Sequence, residues 1–206
     1  MSTPNILSRV IFGAACLLSV SCGGELLRTG RSPAYMVVTS TQGSTGNGGN
    51  ASQFLLSDVQ VLVSQVVNGV TMQVPTFFND VALATIRVDL KNPTVGPTAI
   101  NAVTVTRYQV SFRRSDGRNT PGIDVPYGFS GGLGTTINAG TSGTVSFDLI
   151  RHQAKLEPPL RNLVGLGGFG FISTIAEITF FGRDQNGNEL TATTNLDVQF
   201  GDFADQ

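Results

Sequence analysis

Along most of the chain beyond residue 57, apolar side chains recur at every second position. Val59, Val61 and Val63 share one phase. Ile86, Val88 and Leu90 alternate with Arg87, Asp89 and Lys91. Val145, Phe147 and Leu149 repeat the pattern, as do Ala176, Ile178 and Phe180. The clearest run is Leu190, Ala192, Thr194, Leu196, Val198 and Phe200. A period of two places successive side chains on opposite faces of an extended chain, so each run predicts a strand with one buried and one wet face. Over 101–114 the phase changes within one run. Val103 and Val105 lie on one phase, Tyr108, Val110 and Phe112 on the other. That slip predicts a β-bulge near Thr106-Arg107.

Turn chemistry separates the runs. Asn68-Gly69 sits between Gln65-Val66-Val67 and Val70-Thr71-Met72 and predicts a two-residue hairpin, because both central positions of that turn need positive φ. Residues 92–99 hold two prolines and a glycine, and 115–118 read Ser-Asp-Gly-Arg; both predict loops. Residues 119–133 read as a long Gly/Pro loop with a short strand at 123–125, and 151–170 as a break in which Pro158-Pro159 opens a helical turn through Leu163. Arg183 to Glu189 forms the last turn. Ahead of the runs, 34–38 is a short apolar stretch and 39–53 is a Gly/Ser/Asn-rich segment expected to be a flexible loop. About seven strands with almost no helix predict an all-β fold: an antiparallel two-sheet sandwich over 34–206. Composition agrees, with 25 glycines, no tryptophan and 13% charged residues.

The first 33 residues follow another pattern. Arg9 is the only charge before an eleven-residue apolar run, Val10 to Val20. That is too short to span a bilayer, which takes roughly 20 residues, and it suits a secretory signal. Small residues and Cys22 come next, then Gly23-Gly24. Leu18-Ser19-Val20-Ser21-Cys22 resembles the lipobox of bacterial lipoproteins. The resemblance implies a signal peptide over 1–21, cleavage before Cys22 and a diacylglycerol on its sulfur. Residues 22–33 would then be a tether. With no Asp at the second position after the cysteine, the resemblance favours the outer membrane. The alternative is a plain secretory signal cut near Ser19 or Ser21. The only other cysteine, Cys16, would leave with the leader.

A second resemblance concerns the final hairpin. Asp184, Gly187 and Asn188, followed by an alternating terminal strand, resemble the last hairpin of bacterial immunoglobulin-like surface domains, which implies an immunoglobulin-like sandwich. The whole chain resembles small uncharacterised lipoproteins of bacteria, a grouping that implies no activity.

Candidate chemistry is sparse. His152 is the single histidine, so a Ser-His-acid triad would have to be built on it, and it lies in no motif. There is no G-x-S-x-G, and the acids single out no catalytic pair. Asp184, Asn186 and Asn188 have the opening spacing of a calcium loop without its glycine and distal glutamate, so they form only a weak metal candidate; the same residues suit a tight turn. No cofactor is expected. A net charge of −1 supplies no basic field for nucleic acid. One local asymmetry stands out. In a sandwich, 113–118 and 151–161 should share an end, which gathers Arg113, Arg114, Arg118, Arg151, Lys155 and Arg161 against Asp116 and Glu157. That end is either an anion-binding surface or a set of solvated charges paired with Asp116, Asp124 and Glu157. The expected function is a lipid-anchored extracytoplasmic binding or scaffold module of the envelope, attached to the membrane through Cys22, with an envelope protein or glycan as partner. A structural envelope protein, or an enzyme acting on envelope polysaccharide or peptide, are the alternatives.

Overall fold

The structure is a computed structural model that describes residues 31–203. The expected signal peptide and Cys22 lie outside the described residues, as does most of the expected tether. Ten strands follow in order: β1 (Ala34–Ser44), β2 (Phe54–Asp58), β3 (Val61–Val67), β4 (Val70–Thr76), β5 (Asp80–Leu90), β6 (Val103–Arg113), β7 (Phe129–Ile137), β8 (Thr141–Ile150), β9 (Phe171–Asp184) and β10 (Glu189–Gly201). A short helix, α1 (His152–Lys155), and two 3-10 turns, Ala99–Asn101 and Leu160–Leu163, complete the elements.

Two sheets form the sandwich. The smaller runs β1-β5-β8 and the larger β2-β10-β9-β6-β7. A separate two-stranded sheet, β3-β4, pairs with no strand of either. The all-β sandwich is therefore as expected, with ten strands instead of about seven. Its pairing is not wholly antiparallel: β2 lies parallel to β10, with Phe54 opposite Asp197 and Asp58 opposite Gly201. A five-residue strand, set off from β1 by nine residues and from β3 by two, gave no periodic signal to set its direction.

Inward phases meet between the sheets. Ala82, Ala84, Ile86, Val88, Val145, Phe147 and Leu149 come from the small sheet; Val103, Val105, Tyr108, Val110, Ala176, Ile178 and Phe180 come from the large one. Phe147 bridges them, with ring centroids 4.8 Å from Tyr108 and 5.3 Å from Phe180 in tilted and edge-on arrangements that aromatic quadrupoles favour. The expected bulge in β6 is present: its register against both β7 and β9 shifts between Val105 and Arg107, which turns Tyr108, Val110 and Phe112 inward.

Three stretches depart from expectation. The supposed loop at 39–53 begins only after Ser44, because β1 continues through Gly43. A register shift between Val38 and Ser40 flips the phase, so Ala34 and Met36 before it, and Thr41 and Gly43 after it, all face inward. Thr41 Oγ1 and Thr194 Oγ1 share a hydrogen bond of 3.0 Å across the sandwich seam. Gly43 is required there, since a Cβ would stand 2.8 Å from Leu196 and 3.2 Å from Leu55. Second, the expected loop at 119–133 ends early because Phe129–Ile137 is an edge strand. Its Gly131 lies opposite Tyr108, whose ring occupies the space a side chain would take. An aromatic ring covering a cross-strand glycine keeps such a segment in the sheet. Third, the anticipated strand at 123–125 is reduced to a single bridge between Pro121 and Val125.

Candidate functional site

The strand ends define two poles. At one, the chain enters at Ala34 opposite Leu90, and the turn 184–188 joins β9 to β10. At the other, Asp80 opens β5 opposite Ile150 of β8, Phe129 opens β7 opposite Val110, and β10 ends beside Asp58. The β3-β4 hairpin leaves and rejoins the sandwich at this second pole.

The hairpin follows from local sequence. Val67 pairs with Val70 across Asn68 and Gly69, whose φ values are 53° and 79°. This is the mirror-image turn whose twist matches that of the strands. Cross-strand register sorts its side chains. One face carries Val61, Val63, Val67, Val70, Met72 and Val74 with Gln65 and Thr76. The other carries Leu62, Ser64, Val66, Thr71, Gln73 and Pro75, where Gln73 Nε2 donates to Ser64 Oγ at 2.9 Å. The tip of the apolar face is open to solvent: Val67, Val70 and Met72 are each about half exposed. No charged side chain lies between Asp58 and Asp80.

The roots of the hairpin are held by a buried polar clamp. Lys155 on α1 is 1% exposed, and its Nζ donates to Asp80 Oδ1 at 2.9 Å and to the Asp58 carbonyl at 2.8 Å. One ammonium thus ties the last residue of β2 to the first residue of β5, the two points between which the hairpin departs and returns. Asp80 also accepts the Ser57 hydroxyl at 2.6 Å and the Gly46 N–H at 3.2 Å. Burial pushes the Asp80 carboxyl up, and the Lys155 charge and the Ser57, Lys155 and Gly46 hydrogen bonds only partly offset it. Next to the clamp, Asn79 Oδ1 accepts the His152 backbone N–H at 2.7 Å and the ring Nδ1–H at 2.9 Å. A triad histidine needs a carboxylate at that nitrogen; here it has an amide. His152 fastens α1 to the hairpin root.

The basic cluster expected here is gathered at this pole as the connectivity implied, but little of its charge is free. Lys155 corrects the expectation most directly: it lies in the interior, because Asp80 faces it from the start of β5. Arg113 pairs with Glu177, Arg114 with Asp116, and Arg118 with Asp116 and Asp124. Arg151 lies over the Phe129 ring, 4.1 Å from its centroid, and donates to the Ser130 carbonyl at 2.9 Å. Arg161 is exposed on the second 3-10 turn. A hollow of about 140 Å3 opens beside Arg151, lined by Tyr127, Phe129, Gln153, Glu157 and Pro158 among others.

Apolar side chains are also exposed around this pole, including Ile123, Tyr127, Leu166 and Phe169, the last 97% exposed. At the opposite pole, Asp184 is buried and its carboxylate is occupied by the turn. Oδ1 accepts the Asn186 and Asn188 N–H groups, and Oδ2 accepts Asn188 Nδ2 at 2.8 Å. Burial alone would raise this carboxyl, yet the hydrogen bonds from Asn188, Ser32 and Asn186 hold it below the ordinary aspartate value of 3.8. Asp184, Asn186 and Asn188 therefore build the turn from their own oxygens and N–H groups. Among the described residues, no group of three His, Cys, Asp or Glu side chains is placed to hold a metal.

Sequence reasoning found the hairpin turn but not the amphipathic blade it builds, nor the clamp beneath it. The blade had a signal in the charge-free stretch from 59 to 79. The clamp had none, since Ser57, Asp80 and Lys155 are far apart in the chain. Comparison with protein-family models, curated proteins and solved structures finds no match.

Proposed function

We propose that this chain is a non-catalytic binding or scaffold module, anchored outside the cytoplasm through a lipid on Cys22 and acting through the pole that bears the β3-β4 hairpin. The observation that carries this reading is the hairpin: an amphipathic, charge-free blade that joins neither sheet of the sandwich. Apolar surface presented in one contiguous place marks an interaction site more than scattered apolar residues do. A buried ion pair at its roots supports the same reading, because it fixes the blade to a rigid body and reduces the ordering cost of binding.

A lipid anchor on Cys22 and the blade would belong to opposite poles. The described chain enters beside the 184–188 turn, where Ser32 hydrogen-bonds Asp184. Cys22 and Arg31 are nine positions apart, a reach of about 30 Å fully extended. The fourteen residues of β9 run about 45 Å between the poles. A lipid on Cys22 would thus hold the entry pole near the bilayer and leave the hairpin pole facing away from it, toward a partner in the envelope. The outer membrane is the favoured host bilayer by the lipobox resemblance.

The test has two parts. Intact mass of the protein extracted from native membranes should show a chain beginning at Cys22 and heavier by a diacylglyceryl group; an unmodified chain cut elsewhere overturns the anchor. Crosslinking in the same membranes should capture a discrete partner that is lost when 61–76 are replaced by a short turn. Lys155 holds both roots together, so the shortened chain can close there. Identical capture by both proteins, or no capture by the intact one, overturns the binding role.

A further inference from the structure

The blade has two unlike edges, and only one is open. In an antiparallel ladder, N–H groups point alternately to the partner strand and outward. Pro75 has no N–H and sits in β4 opposite Leu62, so this pair belongs to the outward set. By the same alternation, Leu62, Ser64 and Val66 on β3, and Thr71 and Gln73 on β4, direct their N–H and C=O groups to the edges. Pro75 blunts the β4 edge. The β3 edge carries no proline, glycine, charge or bulge, which are the usual protections of an exposed strand.

We infer that the β3 edge pairs with β3 of a second copy of this chain, antiparallel and centred on Ser64. The sequence Val61-Leu62-Val63-Ser64-Gln65-Val66-Val67 is complementary to its own reverse. Centred on Ser64, Val61 meets Val67, Leu62 meets Val66, Val63 meets Gln65, and Ser64 meets itself. Every residue finds a partner on its own face, so the two apolar faces join into one four-stranded surface ordered β4-β3-β3-β4. Leu62, Ser64 and Val66 supply the outward donors and acceptors, giving about six ladder hydrogen bonds. A copy of the chain is favoured over a charged segment because nothing between Asp58 and Asp80 offers a charge to complement, and nothing there repels an identical strand. Seven-residue edge pairing is small beside a standard interface, so a weak, reversible dimer is expected. Tethering to one surface would raise its effective concentration. This pairing rests on the hairpin pole being the binding surface. It fails separately from that reading, since partner capture that needs 61–76 can persist in a monomer.

Sedimentation equilibrium of the full chain over about 1–300 μM tests it. The weight-average mass should rise from that of one chain toward twice that value. Ser64→Pro removes a central outward N–H without touching the β3-β4 ladder, and Ser64→Lys sets two like charges face to face at the dyad; each should stay monomeric through the range. Thr71→Pro, on the edge Pro75 already blunts, should dimerise like the parent. Far-UV circular dichroism of each variant checks folding, and Ser64→Lys decides the matter if Ser64→Pro misfolds. A parent that stays at the mass of one chain throughout, or a Ser64→Lys protein that dimerises equally well, overturns the inference.

Discussion

Replacing Lys155 by Met keeps most of the side-chain stem and deletes the ammonium that bridges Asp58 and Asp80. Both side chains of the Lys155–Asp80 pair are at most 2% exposed, and their charges are 2.9 Å apart. At an effective dielectric of about 20, that separation corresponds to roughly 6 kcal/mol of attraction, against which stands the cost of taking both ions out of water. The net worth of such a pair is small. Removing one member is costly, because the survivor stays buried without its counter-charge, and the loss is about 3–5 kcal/mol. Asp80 would keep only the Ser57 hydroxyl and the Gly46 N–H, and the Asp58 carbonyl would lose the hydrogen bond from Lys155. Urea unfolding at pH 7 should show that loss as a lower midpoint with an unchanged slope.

The pH dependence supplies an independent check on the same variant. Burial already raises the Asp80 carboxyl in the intact protein. Without Lys155 it rises further, so the folded variant binds a proton more tightly than the unfolded chain does. The penalty is therefore complete above the folded pKa of Asp80 and shrinks as pH falls through it toward 3.8, the ordinary value. Hydrogen exchange should also quicken in β3 and β4 before the sandwich strands respond, since the clamp holds the hairpin roots. A cost below about 1 kcal/mol at pH 7, or one that does not diminish between pH 7 and 4, would refute the clamp.

Gly43→Val should destabilise the sandwich by about 1–3 kcal/mol, because its side chain would enter the space of Leu196 and Leu55; a thermal midpoint equal to that of the parent would show that β1 does not approach β10 as closely as described. Asp184→Ala should lower the thermal midpoint at pH 6 and have progressively less effect below pH 3.8, since the depressed pKa of Asp184 contributes stability above its unfolded value that is lost as pH falls through the folded one; melting curves at pH 6 and 3 with equal differences would contradict that. Arg113→Ala combined with Arg118→Ala should leave sedimentation with anionic vesicles unchanged, because Glu177, Asp116 and Asp124 already neutralise these guanidiniums. Binding by the parent that the double variant loses would restore an anion-binding role to this pole.

The legible features were those written in short-range pattern. The Asn68-Gly69 turn needs two positive φ angles that few other dipeptides supply, so sequence alone fixed the hairpin and its register. The bulge in β6 was visible as a phase slip, because a strand cannot bury both Val105 and Tyr108 on one face without an extra residue between them. The long strands β9 and β10 announced themselves through sustained alternation. Strands that lean on a distant neighbour were hidden. β7, with three glycines, and the end of β1 around Gly43 have weak intrinsic preference, and each is held in place by side chains from elsewhere: Leu55 and Leu196 beside Gly43, the Tyr108 ring over Gly131.

What the sequence determined by itself is the all-β class, the hairpin, the bulge and the absence of charge from the blade, since each depends on residues adjacent in the chain. What only the tertiary structure decided is which charges are free. Lys155 and Asp80 are 75 positions apart, and nothing local distinguishes this lysine from a solvated one. Folding brings β5 and α1 to the same pole, and there the low-dielectric interior makes an unpaired ammonium far costlier than a paired one. Lys155, one of the residues offered for an anion-binding end, is therefore a structural clamp, and exposed apolar side chains stand at that pole beside its arginines.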